Sequence, residues 1–150
     1  MRLPAMTPAL GLASAFAFAA APAVAETAPA PVQARTTMVV EWTRLKALPG
    51  ERDNLTAFIH LNWFAMDAKA VEQGLFTSYR LIANPAPDGE WDLLVEVGYP
   101  TALGYDEPAT QAAFGAIRAA HKVVPVEGKT LRQLGTILGT ERLPVLTGTR

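Results

Sequence analysis

The stretch ERDNLTAFIHLNWFAMDAKAVEQG, from Glu51 to Gly74, follows Leu48-Pro49-Gly50 and predicts one long helix. At about 100° per residue, one broad apolar face suited to packing on a sheet carries Leu55, Phe58, Ile59, Trp63, Met66 and Ala70. A second apolar stripe carries Leu61, Phe64, Val71 and Leu75, and a narrow polar strip carries Asp53, Thr56, His60 and Asp67. A helix that is apolar on two sides is usually covered on two sides. One side should therefore meet the protein's own sheet, and the other a second subunit or segment.

The two ends of this helix carry separate signals. Asp53 or Asn54 is the predicted N-cap, because short polar side chains accept hydrogen bonds from the free N–H groups of a first helical turn. Gly74 is the predicted residue just beyond the C-terminus, a position where glycine is common.

Segments with the residue bias of β-strands surround the helix, and a second helix follows the third strand. The strands are predicted at Thr37–Leu45, Thr77–Ala83, Trp91–Tyr99 and Thr136–Leu146. The second helix is predicted from Asp106-Glu107-Pro108 to Lys122, and a short helical turn over Thr130–Gly135. The order strand, helix, strand, strand, helix, strand predicts an α+β fold, a ferredoxin-like βαββαβ antiparallel sheet with both helices on one face. The third strand has one apolar face, which should lie under the helices: Trp91, Leu93, Val95, Val97 and Tyr99.

The first 25 residues have the pattern of a secretory signal peptide. Arg2 supplies a positive start, the apolar run Ala9–Ala21 is too short to span a bilayer comfortably, and Ala23-Val24-Ala25 fits the small-x-small cleavage rule. We expect cleavage before Glu26 and export to the periplasm or out of the cell, with no membrane insertion of the mature chain. Residues 26–36 should form a disordered Ala/Pro-rich linker, residues 37–146 a single domain, and residues 147–150 a tail.

Composition excludes several classes of protein. The net charge is −1 with no basic patch, so nucleic acid is not an expected partner. The chain has no cysteine, so its stability must come from packing or assembly rather than from disulfides. No Gly-rich phosphate loop, nucleophile elbow or carboxylate cluster of metal-site form is present, which argues against hydrolases, kinases and dinucleotide-dependent enzymes.

The element order, the long helix containing Trp63, the WDLLVEVGY strand and the last strand after a Gly/Pro-rich segment resemble the dimeric α+β barrel superfamily. The resemblance covers roughly residues 37–146 and is one of pattern rather than of a signature motif. Members include cofactor-independent monooxygenases, lactone isomerases and haem-handling proteins. The resemblance implies a homodimer in which the free faces of two sheets meet, and a small-molecule cavity between each sheet and its helices. A mixed set of residues suited to such an interface is expected on the free face: Glu41, Thr43, Arg80, Ile82, Leu94 and Glu96.

Few residues are candidates for chemistry. His60 and His121 are the two histidines, one on each predicted helix, and His60 is the predicted catalytic base. Asn62 and Trp63 face the predicted sheet, where an amide and an indole could orient an aromatic ligand. The remaining predicted ligand-binding residues are Trp42, Trp91, Tyr99 and His121. Each has a structural interpretation as well, since tryptophans and tyrosines commonly fill cores and histidines commonly lie on surfaces. Arg44 and Arg80 are expected to pair with Glu41 and Glu96 across neighbouring strands, and an anionic ligand is the alternative partner for them.

These observations predict an exported homodimer that binds a small aromatic or hydrophobic molecule, with cofactor-independent oxygenase or isomerase chemistry as its mechanistic form. A non-catalytic assembly or interaction module is the alternative from another class. Haem binding is a third hypothesis, implied by the resemblance, with His60 or His121 as axial ligand. A cavity between helices and sheet separates the first hypothesis from the second, because a self-association module needs none.

Overall fold

The computed structural model describes residues 35–86 and 89–146. The predicted signal peptide, most of the predicted linker and the predicted tail lie outside the described residues. The strands are β1 (Val39–Ala47), β2 (Ser78–Ala83), β3 (Leu93–Tyr99) and β4 (Gly135–Pro144). The helices are α1 (Arg52–Phe58), a π segment (Ile59–Trp63), α2 (Phe64–Glu72), a 3₁₀ turn (Gly104–Asp106), α3 (Pro108–Ala120) and α4 (Leu131–Leu134). No helix in this part of the chain is long and apolar enough to cross a membrane.

The four strands form one antiparallel sheet in the order β2-β3-β1-β4. This is the strand order of a ferredoxin-like βαββαβ fold, because each helical crossover leaves room for one strand between the two that it joins. The predicted fold class is therefore confirmed. The register sets the two faces, since paired residues lie on the same side of a sheet. Leu45 pairs with Leu93, Thr43 with Val95 and Glu41 with Val97.

The long helix runs without a break through α1, the π segment and α2. The predicted N-cap is wrong: Glu51 is the N-cap, and its carboxylate accepts a hydrogen bond from Asn54 Nδ2 at 2.9 Å. The predicted C-terminus is confirmed. Gly74 has a φ of 70°, and its N–H donates to Val71 O while the N–H of Leu75 donates to Ala70 O. These two bonds form a Schellman motif, which ends the helix by satisfying its last carbonyls.

The π segment changes which side chains of the long helix face the sheet. Phe64 N donates to Ile59 O, five residues back instead of four. Such a turn holds one extra residue, so every later side chain lies about 100° behind its place on an uninterrupted α-helix. Asp67, predicted in the narrow polar strip of the helix, is turned inward by this rotation and is only 5 % exposed.

The core consists of two clusters between sheet and helices. The cluster under α1 and α4 contains Leu45, Leu55, Phe58, Ile59, Leu93, Val95 and Leu134. The cluster under α2 and α3 contains Val39, Ala70, Phe76, Tyr99, Phe114 and Ile117. The third strand's predicted apolar face is confirmed from Leu93 to Tyr99, and the strand begins two residues after Trp91.

The opposite face of the sheet has no helix over it in the described residues. Glu96 lies on this face, where it accepts a hydrogen bond from Trp42 Nε1 at 2.7 Å and forms an ion pair with Arg80 Nε at 2.8 Å. The predicted Arg80–Glu96 pair is therefore confirmed. Arg44 pairs with Glu141 and not with Glu41.

The prediction that Glu41 and Thr43 share this free face is wrong. Both residues lie on the helical side and line a cavity there. The cause is the register, because Glu41 and Thr43 pair with Val97 and Val95, whose side chains lie under the helices. The predicted contact between two sheets in a dimer stays a prediction.

Candidate functional site

A cavity of about 730 Å³ lies between the sheet and the helices. The sheet contributes residues of β1, β3 and β4, and the helical side contributes residues of the π segment, α2, the 3₁₀ turn and α3. The volume falls within the range of sites for drug-sized small molecules, about 300–1,000 Å³. Exposed side chains at its rim include Asp106, Arg118, Ile137, Thr140 and Arg142.

Aromatic side chains form a connected wall along the cavity, which we call the aromatic wall: Tyr99, Phe76, Phe114 and Tyr105. Successive ring centroids are separated by 4.8, 4.9 and 6.1 Å. Trp63, the last residue of the π segment, adds a half-buried indole to the lining. Such ring edges and faces favour planar or cationic guests over purely aliphatic ones.

Asp67 is the buried charged group of this lining. It is 5 % exposed and has no hydrogen-bond or ion-pair partner within residues 35–86 and 89–146. Burial disfavours its charged form, because a carboxylate loses part of its hydration when it is buried. The pKa of Asp67 is therefore raised from 3.8 to about 7. A carboxyl group with such a pKa can both give and take a proton near neutral pH.

Glu41 is a second carboxylate of the lining, and unlike Asp67 it has hydrogen-bond partners in the described chain. Its Oε1 accepts hydrogen bonds from Arg142 Nε at 2.8 Å and from the N–H of Tyr105 at 3.2 Å. Arg142 also bonds to Asp106 Oδ2 at 2.8 Å. These contacts tie β1, β4 and the 3₁₀ turn together at the rim, and they leave Arg142 committed to two carboxylates.

The pKa of Tyr99 depends on both carboxylates of the lining, Glu41 and Asp67. Burial raises the pKa of the Tyr99 phenol, and the charge of Glu41, a hydrogen bond to that carboxylate and the charge of Asp67 raise it further. The phenol therefore stays protonated at any physiological pH and can serve as a hydrogen-bond donor but not as a base.

Arg118 lies at the outer end of the aromatic wall. Its guanidinium carbon is 5.8 Å from the centroid of Tyr105 and 5.3 Å from that of Phe114. Its Nη2 also donates to Tyr105 Oη at 3.1 Å. Stacking of this kind is the usual geometry of a cation–π contact.

The structure brings two of the seven predicted site residues, Trp63 and Tyr99, to the cavity. It places Asn62 inside the protein, at 2 % exposure, but in a structural role. Asn62 Nδ2 donates to Phe58 O and Val124 O, both at 2.9 Å. Its Oδ1 accepts from Val124 N at 2.7 Å and lies 3.1 Å from His121 Nε2. An amide has two donor and two acceptor sites, so Asn62 has none left for a ligand.

The other predicted residues also lie away from the cavity. His60 is exposed and packs edge-to-face on Phe64, with ring centroids 5.0 Å apart. His121 is the C-cap of α3 and contacts Asn62, and Trp91 lies two residues before β3. Neither residue lines the cavity. Trp42 lies on the free face and bonds to Glu96, because β1 alternates its side chains between the two faces.

Sequence reasoning missed Asp67 and Glu41 as site residues. Asp67 was hidden by the π segment, since a regular period of 3.6 residues places it in the polar strip. Glu41 alternates correctly with Val39 and Leu45, and this alternation with two buried residues was the signal that could have placed it on the inner face.

The described residues contain no group of three or more His, Asp or Glu side chains positioned to hold a metal ion. Neither histidine lines the cavity, so the cavity offers no histidine as an axial haem ligand.

No protein-family model matches the chain, and no curated protein sequence matches it. One solved structure that the chain matches is described as a "putative Antibiotic biosynthesis monooxygenase" from Chloroflexus aurantiacus J-10-fl. It is 15 % identical, the match covers 76 % of this chain and 98 % of that one, and the TM-score is 0.37. That score is too low to relate the two proteins.

Proposed function

We propose that this protein binds a small aromatic molecule in the cavity between its sheet and its helices. The observation that carries this proposal is the cavity of about 730 Å³, which combines an aromatic wall with one buried carboxyl group that lacks a partner in the described chain. Ligand sites are typically apolar, with a few polar groups that fix orientation. A purely structural interior would have no reason to bury a carboxyl group that has no partner among the described residues.

A cavity-filling substitution tests the location of the site. Val97 lines the cavity on β3 and is partly exposed, so Val97→Phe should place a ring in the space that a ligand needs. Titration calorimetry with 2-naphthol should give an affinity at least about 10-fold weaker for this variant than for the wild type. Ile82→Phe, on the free face of the neighbouring strand β2, is the matched control and should bind normally. Equal affinities for all three proteins would contradict the proposal.

Asp67 also supports a second candidate, proton-transfer chemistry of the kind that begins an isomerisation or a cofactor-independent oxygenation. A base with a pKa of about 7 can take a proton from a carbon next to a carbonyl at neutral pH. The carbon acid becomes an enolate, the carboxylate becomes a carboxylic acid, and the proton then returns to the same or another carbon.

Deuterium exchange tests this chemistry without knowledge of the natural substrate. In D₂O, wild-type protein should speed incorporation of deuterium into 2-tetralone, an aromatic ketone with acidic C–H groups, followed by NMR. Asp67→Asn should lose about 100-fold or more of this acceleration, the range expected for a general base. Asp53→Asn, an exposed carboxylate on the same helix, should retain it. Equal rates in wild type and Asp67→Asn would exclude Asp67 as the base.

We also propose that the chain is exported after cleavage before Glu26, which rests on the sequence pattern of residues 1–25. Mass spectrometry of protein recovered from periplasmic and culture fractions should find a chain that starts at Glu26. Full-length protein confined to the cytoplasm would contradict the proposal.

A further inference from the structure

The charged groups around the cavity favour a positively charged ligand over a negatively charged one. On the sheet they are Glu41 and Arg142, and on the helical side Asp67, Asp106 and Arg118, with the phenols Tyr99 and Tyr105 between them. Arg142 is already committed to Glu41 and Asp106. Arg118 has no carboxylate partner among the described residues, but it lies at the rim against Tyr105 and Phe114. A carboxylate or phosphate bound beside Asp67 would therefore meet a like charge.

The aromatic wall also favours a positive guest. Ring faces carry negative potential, which attracts ammonium and guanidinium groups. Arg118 already shows this attraction at the rim, where it stacks on Tyr105 and Phe114. The inner part of the wall, Phe76 and Tyr99, lines the same cavity as Asp67 but has no such cation among the described residues.

We infer that the cavity takes an aromatic amine, with the ammonium group paired to Asp67 and the ring packed along Phe76 and Tyr99. This inference rests on the proposed function, because it names the class of ligand for the same cavity. An ammonium group would supply the hydrogen bonds and the opposite charge that the buried carboxylate lacks. A carboxylate that is 5 % exposed gains more from such a partner than one in water would.

Three probes of nearly the same shape test the inference: 2-phenylethylamine, 2-phenylethanol and phenylacetate. At about pH 8.5, where Asp67 is charged, calorimetry on the wild-type protein should show the amine binding at least about 10-fold tighter than the alcohol. Phenylacetate should bind most weakly. In Asp67→Asn the amine and the alcohol should bind equally, whereas Asp53→Asn should keep the preference for the amine.

The pH dependence of the preference for the amine is a second test, and it uses the wild-type protein alone. At about pH 5.5 Asp67 is protonated while the amine stays charged, so the preference for the amine over the alcohol should largely disappear. Equal binding of amine and alcohol at high pH, or a preference that survives in Asp67→Asn, would overturn the inference and leave the proposed function standing. Failure of all three probes and of 2-naphthol to bind would overturn both.

Discussion

Replacing Asp67 by Asn should stabilise the protein at high pH and change its stability little at low pH. The pKa of Asp67 is raised from 3.8 to about 7 by burial. Between those values the folded state holds the proton more tightly than the unfolded chain does, so stability is highest below the unfolded pKa and is lost as the pH rises through the folded pKa. A shift of about three pKa units corresponds to roughly 4 kcal/mol at most. Asn has the same shape without the charge, and it removes this penalty.

Urea unfolding of both proteins, followed by circular dichroism between about pH 5 and pH 8.5, measures the effect. The quantity of interest is the difference in unfolding free energy between Asp67→Asn and the wild type, because the other titrating groups cancel in that difference. It should grow with pH and level off above about pH 7. Asp53→Asn should give a difference that stays flat, since Asp53 is exposed. A flat curve for Asp67→Asn, or a less stable variant at high pH, would refute the reasoning.

Two further substitutions test the parts of the chain that hold the long helix in place. Asn62→Leu should lower the unfolding free energy by about 2–4 kcal/mol, because it leaves the N–H and the C=O of Val124 without their side-chain partner and removes the side-chain bond to Phe58 O. A higher melting temperature would contradict the structural role of this amide. Gly74→Ala should lower the unfolding free energy by about 1–2 kcal/mol, because an L-residue is strained at a φ of 70°. Gly74→Asn should lower it less, because Asn tolerates that conformation. Equal stability of Gly74→Ala and wild type would argue against the Schellman motif at this helix end.

The fold was predictable because each element carries a strong local pattern. The apolar alternation of β3, the long helix with its glycine stop, and the proline at the start of α3 together define the order of elements. That order, with a right-handed preference for crossovers, leaves few ways to build one antiparallel sheet. Glu41 and Thr43 were harder to place, because polar side chains in a strand usually face away from the core. Their alternation with Val39 and Leu45 indicates the inner face, and the register with β3 fixes it, since they pair with Val97 and Val95.

The candidate site could not be predicted to the same extent, because a π turn has no clear sequence signal. Asn62 is the nearest to a clue. Its side chain donates to Phe58 O, the carbonyl to which the backbone N–H of residue 62 would donate in a regular α-helix. Side chains that enter the helical hydrogen-bond ladder commonly accompany such distortions. The residue that seemed a ligand-binding amide thus belongs to the structure that turns Asp67 into the cavity.

The two roles proposed for Asp67 make opposite demands on its pKa in the bound state. A general base must keep a pKa near 7 when the ligand is in place. A counter-ion for an ammonium group must have a lower pKa, because the positive charge favours the carboxylate. Linkage fixes the relation: a 10-fold preference of the amine for the charged form requires a fall of one pKa unit on binding. Carbon-13 NMR of the Asp67 carboxyl, free and with 2-phenylethylamine, should therefore show a fall of at least about one unit, and an unchanged pKa would leave only the role of base.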